Sequence, residues 1–160
     1  MPLSINGQMH GTFLNVSGGK FVNKKKEISA SAATGRLKKI ELFEDEYNGT
    51  KLNKVRIVLD DGDAEFIISF NEESWFAHGF FSRVKNIDKE QPILLGSYKS
   101  DQNEKISFCY IKQGENKILK DENYPKPTKV LVNGKNLSDW TECRKWNKII
   151  VNDFSNSVPF

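Results

Sequence analysis

Between residues 33 and 70 the chain reads ATGRLKKIELFEDEYNGTKLNKVRIVLDDGDAEFIISF, three apolar and β-branched runs divided by two turn signals. Asn48-Gly49 and Asp61-Gly62 are dipeptides that readily take the positive φ values of a tight hairpin. In the middle run Val55, Ile57 and Leu59 alternate with Lys54, Arg56 and Val58. That period of two describes a strand with one buried face and one wet, basic face. In the third run Ala64, Phe66, Ile68 and Phe70 share a face. The stretch predicts a three-stranded antiparallel meander, and the rest of the chain has to pack around it.

Upstream, residues 12–16 and 20–23 form short strands about Ser17-Gly18-Gly19, behind a polar arm of residues 1–11. Lys24-Lys25-Lys26 and the small residues after them read as a surface loop able to lie along a polyanion. Downstream, Asn71-Glu72-Glu73 supplies a helix start, with a capping side chain and two acids in the first turn. Residues 74–84 then place Phe76, Phe80 and Val84 at i, i+4 and i+8, and the helix aromatics, Trp75 beside them, read as core. Residues 91–98 and 105–112 form a second hairpin. Residues 129–132 make a short strand, and Ser138 opens a last helix with Trp140 and Ile150 on its inner face. Five principal strands with a helix between the third and fourth follow the order of an OB-fold. The expected fold is therefore mostly β: a five-stranded OB-fold-like Greek-key barrel with a C-terminal helix. Leu37, Ile40, Val55, Ile57, Leu59, Phe66, Ile68, Leu94 and Phe108 form its expected core. Residues 1–151 make one domain, a size able to bury a core unaided, and residues 152–160 a tail.

Several chemistries find no support. The two cysteines, Cys109 and Cys143, lie in unrelated contexts, which argues against a zinc or disulfide framework and for a reducing compartment. No leader pattern and no apolar run near the ~18 residues of a membrane span is present, so a soluble cytoplasmic protein is expected. His10 and His78 have no nucleophile or acid at a telling spacing, and no phosphate-loop, dinucleotide or HExxH motif occurs. Glu44-Asp45-Glu46 and Asp60-Asp61-Gly62-Asp63 fall at hairpin ends, where acids serve turn geometry. No enzyme, metal or cofactor is expected.

Binding is better supported. The basic excess lies in the N-terminal third, where Arg36, Lys38, Lys39, Lys54 and Arg56 occupy outward positions of the meander beside Lys24, Lys25 and Lys26. Phe43, Tyr47, Tyr98, Phe108 and Tyr110 lie on or next to the same sheet, in a chain that is 11% aromatic. Cations that meet phosphates, interleaved with rings that stack on bases, hold single-stranded nucleic acid without sequence preference. Such affinity falls steeply with salt. The alternative is a structural or accessory β-barrel without DNA affinity.

The order of motifs adds a resemblance. Gly19-Lys20-Phe21, the basic run, the glycine-started strand at Gly35, Asp61-Gly62, the aromatic helix and Asn86-Ile87-Asp88 through Gln91-Pro92-Ile93 follow one another over residues 17–112. This order resembles the phage-encoded single-stranded DNA-binding proteins found in phages of Bacteroidetes. The family's basic segment usually holds Arg-Arg-Val-like residues, where this chain has Asn23-Lys24-Lys25-Lys26. The resemblance implies an OB-fold, a role in phage DNA replication or recombination, and the host cytoplasm as location. The ending Asp153-Phe154 to Val158-Pro159-Phe160 is similar to the Pro-Phe tail of bacterial single-stranded DNA-binding proteins, without its run of acids. It implies docking of Asp153, Pro159 and Phe160 to replication or recombination proteins.

Overall fold

The structure, a computed structural model, describes residues 11–157. In chain order it contains β1 (Gly11–Ser17), β2 (Lys20–Asn23), β3 (Ile28–Ala30), β4 (Ala32–Tyr47), β5 (Thr50–Asp60), β6 (Glu65–Asn71), α1 (Trp75–Val84), β7 (Ile93–Lys99), β8 (Ser107–Gln113), β9 (Asn116–Lys117), β10 (Thr128–Val132), β11 (Lys135–Asp139) and α2 (Thr141–Ser157). Among the described residues nine strands form one mixed sheet in the order β3-β2-β1-β6-β5-β4-β7-β8-β9, and β10 pairs only with β11. The described residues are mostly β with two helices.

The meander forms as its turn chemistry dictates. Asn48 and Gly49 take φ of 52° and 78°, and Gly62 takes 99°, so β4–β5 and β5–β6 pair antiparallel in tight hairpins. Strand β4 is 16 residues long and is shared between neighbours. Residues Ala32 to Gly35 pair with β7, and from Arg36 onward the strand pairs with β5, with a register shift between Leu37 and Lys39.

The five-stranded closed barrel is not what forms: the sheet has nine strands and does not close. The reason lies at the edge of β6. That edge is taken by β1, which runs parallel to it from Gly11↔Glu65 to Asn15↔Ser69, so β8 has no place beside β6. The expected loop after the lysine run is also strand. Asn23 Oδ1 accepts the Lys26 N–H at 3.1 Å, Glu27 turns the chain with φ of 55°, and β3 pairs back on β2.

The core lies under α1. Phe76, Phe80 and Val84 are buried as the spacing predicts, and Phe70 meets Phe76 and Phe80 edge-to-face with centroids 4.8 and 5.8 Å apart. Leu37, Ile40, Val55, Ile57, Leu59 and Ile68 are buried. Phe66, Leu94 and Phe108 are only half-buried. In the second hairpin the inward positions are Ile93, Leu95, Cys109 and Ile111, so Leu94 and Phe108 stand one residue out of phase, on the outer face. The helix cap is Ser74 rather than Asn71: Ser74 Oγ accepts the Ala77 N–H at 3.1 Å. Glu72 is not a first-turn acid but is buried, accepting Asn147 Nδ2 at 3.0 Å, while the Tyr124 hydroxyl donates to Asn147 Oδ1 at 2.6 Å. Burial pushes the Glu72 carboxyl above its ordinary range.

Helix α2 carries Cys143, Asn147, Ile150 and Phe154 inward at the i, i+4, i+7, i+11 spacing of one helical face, with Cys143, Asn147 and Phe154 buried. Two expectations change here. Ser138 does not open the helix but lies in β11, and Asp139 Oδ1 accepts the Thr141 N–H at 3.0 Å to start it. Residues 152–157, placed in the tail, continue the helix, because Phe154 is a core residue. His10, Pro159 and Phe160 lie outside the described residues. Cys109 and Cys143 are buried free thiols. No helix among the described residues is long and apolar enough to cross a membrane.

Candidate nucleic-acid interface

On the outer face of the meander, register sets the site residues side by side. Lys39 stands opposite Val58, Glu41 opposite Arg56, and Phe43 opposite Lys54. The Arg56 guanidinium lies 4.5 Å from the Phe43 ring centroid, a cation–π contact. The same Arg56 donates through Nη1 to Glu41 Oε1 at 2.9 Å, and Lys39 Nζ is 3.2 Å from Glu41 Oε2. Further along β4, Lys38 Nζ is 3.4 Å from Asp60 Oδ2, and Arg36 is in register with Asp60. The Gly62 N–H bonded to Asp60, then Lys38 and Arg36, hold the Asp60 carboxyl below its usual value. The expected basic stripe is thus assembled, but three of its cations are ion-paired to two internal carboxylates, and Arg36 is in register with one of them.

The second hairpin presents rings instead. Outward pairs are Tyr98↔Phe108, Gly96↔Tyr110 and Leu94↔Lys112. Tyr98 is 51% exposed, and its ring centroid lies 5.4 Å from Phe108 and 6.1 Å from Tyr110 at tilts of 36° and 38°. Lys112 Nζ is 5.8 Å from the Tyr110 centroid. A Cβ on Gly96 would fall 2.0 Å from the Tyr110 ring, so the missing side chain is what lets that ring lie flat across β7. The far end of the hairpin is fixed by Gly19, at φ of 75°, where a Cβ would strike the Lys99 backbone nitrogen, and whose N–H donates to Ser107 Oγ at 2.9 Å.

A third group was not legible in the chain. A cleft of about 360 Å³ opens between the start of α1, the middle of β5 and the ends of β1, β6 and β8, and its walls include Lys54, Trp75, Lys105 and Trp140. The two indole rings meet edge-to-face at 5.3 Å. Among the described residues neither Lys54 nor Lys105 has a carboxylate in ion-pair range. Trp75, expected in the core with the other aromatics of α1, is instead 36% exposed, because it lies beside the buried i, i+4, i+8 stripe and on the cleft wall.

The remaining predicted residues stand by themselves. Lys24, Lys25 and Lys26 are exposed on the turn between β2 and β3, and Tyr47, 68% exposed, ends the β4–β5 hairpin. Asp153 is exposed on α2. The two acidic clusters sit at opposite ends of the 11-residue β5, about 30 Å apart at ~3.3 Å per residue. Asp61 Oδ1 accepts the N–H groups of Asp63 and Ala64, which is turn chemistry. Among the described residues no group of three or more His, Cys, Asp or Glu side chains converges as a metal site. His78 is buried, its Nε2–H donating to the Pro125 carbonyl at 3.2 Å, and burial followed by Lys120 lowers its pKa from 6.5. Compared with protein-family models, curated proteins and solved structures, the chain has no match.

Proposed function

We propose that this chain is a non-enzymatic, phage-encoded protein that binds single-stranded DNA without sequence preference, on an OB-like sheet, during replication or recombination in the host cytoplasm. The Tyr98–Phe108–Tyr110 ladder carries the reading. Three adjacent rings stand on an open sheet face with Lys112 beside them, and a base stacked on such a ring contributes about 1–3 kcal/mol. The OB-like part of the proposal draws on the strand path. The five expected strands lie in the order β6-β5-β4-β7-β8 with α1 between β6 and β7. A single residue, Ser31, joins β3 to β4, and its carbonyl accepts the Ser97 N–H at 2.9 Å, tying that junction to β7. The motif order over residues 17–112 supports the phage assignment. Docking of replication or recombination proteins by Val158-Pro159-Phe160 belongs to the same proposal, and deletion of those three residues tests it by loss of partner capture with strand affinity retained.

The alternative, an accessory phage protein without DNA affinity, is favoured by one observation, the partial pairing of the stripe's cations with Glu41 and Asp60. A mobility shift with a labelled oligothymidylate and an unlabelled duplex competitor separates the two. The proposal expects a shift that the duplex does not remove. No shift at low salt, or a shift removed equally by duplex, supports the alternative.

A further inference from the structure

The cleft beside α1 is built unlike a gap in a core. Its walls combine the amides of Asn15 and Asn71, the hydroxyls of Ser74 and Ser107, the Lys54 and Lys105 side chains and two indoles. Trp75 is 36% exposed, and the rings behind it are fixed in series. Trp75 and Trp140 both contact His78, at 5.4 and 6.4 Å, His78 contacts Tyr124 at 5.1 Å, and Tyr124 contacts Trp146 at 6.0 Å. Rings held this way lose little freedom when a ligand stacks on them, so less of the stacking energy is spent on ordering. The carboxylate on the wall, Glu73, is drawn to Arg144 Nε at 3.4 Å. The two lysines are left to an outside anion.

We propose that this cleft is a nucleotide-binding subsite: a nucleobase packs against Trp75 and Trp140, and its phosphate lies between Lys54 and Lys105. The inference rests on the single-strand reading and extends it to a cleft that shares Lys54 with the sheet face but none of its rings. Its volume falls within the range of about 300–1,000 Å³ typical of small-molecule pockets. It also adjoins the ladder. Ser107 lines the cleft, and the next residue, Phe108, is a ring of the ladder, so one strand of DNA can leave the first and enter the second around the end of β8.

Indole emission reports on the site directly, because Trp75 and Trp140 line the cleft while Trp146 lines a separate groove. The full-length protein is titrated with oligothymidylate while tryptophan emission and the anisotropy of a labelled oligothymidylate are both followed. The proposal expects quenching on binding. It expects Trp75→Ala to weaken binding about 5- to 150-fold, the equivalent of one stacked base. Lys54→Gln combined with Lys105→Gln, which leaves the core untouched and serves if Trp75→Ala misfolds, is expected to remove most of the quenching and weaken binding about tenfold. Binding with unchanged emission and unchanged affinity in the double lysine variant overturns the subsite while leaving single-strand binding intact. Absence of any binding to the wild-type protein at low salt overturns both.

Discussion

The β4–β5 face and the β7–β8 face present two solutions to an exposed sheet surface. On the first, Arg36, Lys38, Lys39 and Arg56 look toward solvent, yet each has a carboxylate in contact or in register. On the second, the outward residues are rings, and the neighbouring cleft holds lysines with no such partner among the described residues. Strand periodicity tells which residues face out. It does not tell what stands across the ladder, and Glu41 opposite Arg56 follows only from the register that the Asn48-Gly49 turn sets. Exposed pairs of this kind are worth about 0–1 kcal/mol, so they cost the fold little to break but still compete with an incoming phosphate. Under the proposed function, this difference places strand affinity mainly on the rings and the cleft, with the stripe held in reserve.

The largest expected effect breaks the ring side of that contrast. Tyr98→Ala with Tyr110→Ala removes two outward rings and, at about 1–3 kcal/mol per stacked base, lowers oligothymidylate affinity by roughly 30-fold or more. The melting temperature stays near the wild-type value, since Tyr98 is 51% exposed and Tyr110 only half-buried. Anisotropy titration and a thermal scan check the two halves. A smaller and opposite effect sharpens the charge side. Glu41→Gln frees Lys39 and Arg56, and the value of exposed pairs limits the gain in affinity to about fivefold. The variant's affinity also falls more steeply with salt. An unchanged or weaker affinity places the stripe outside the binding path.

The smallest effect concerns the ring series under the cleft. His78 has its pKa lowered by burial, then by Lys120. A depressed value contributes stability that is present above pH 6.5 and is lost as pH falls through the folded value. The melting temperature of the wild type should therefore drop between pH 7 and pH 5 relative to His78→Phe, which keeps a ring and cannot titrate. Parallel thermal scans of the two proteins at both pH values give that difference, and curves that stay parallel contradict it.

Much of the fold was legible because it is local. The Asn-Gly and Asp-Gly turns, the alternation of Val55, Ile57 and Leu59, and the Phe76, Phe80, Val84 stripe each lie within one short window, and each formed as read. What was missed is non-local. The parallel pairing of β1 with β6 joins residues about fifty positions apart with no turn between them to announce it, and it takes the edge the expected closure needed. Of the hairpin β10–β11 only the first strand was read; both strands are exposed throughout, so no buried-face alternation marked the second. Site residues divide the same way. Tyr98 and Tyr110 were legible as outward rings because they alternate with buried neighbours. The cleft draws Asn15, Lys54, Trp75, Lys105 and Trp140 from five separate segments, and no spacing in the chain connects them.

The central claim is that rings on the β7–β8 face, more than paired cations on β4–β5, hold a single DNA strand. The most direct measurement is the affinity for oligothymidylate across a salt series, made on the wild type, on Tyr98→Ala/Tyr110→Ala and on Lys38→Gln/Arg56→Gln. Single-strand binding falls with salt by a slope of about −0.7 per neutralised phosphate. The account predicts that the wild-type and stripe-variant lines run close together with a residual affinity at high salt, while the ring variant lies well below both. Coincidence of the ring variant with the wild type, together with collapse of the stripe variant, would contradict it.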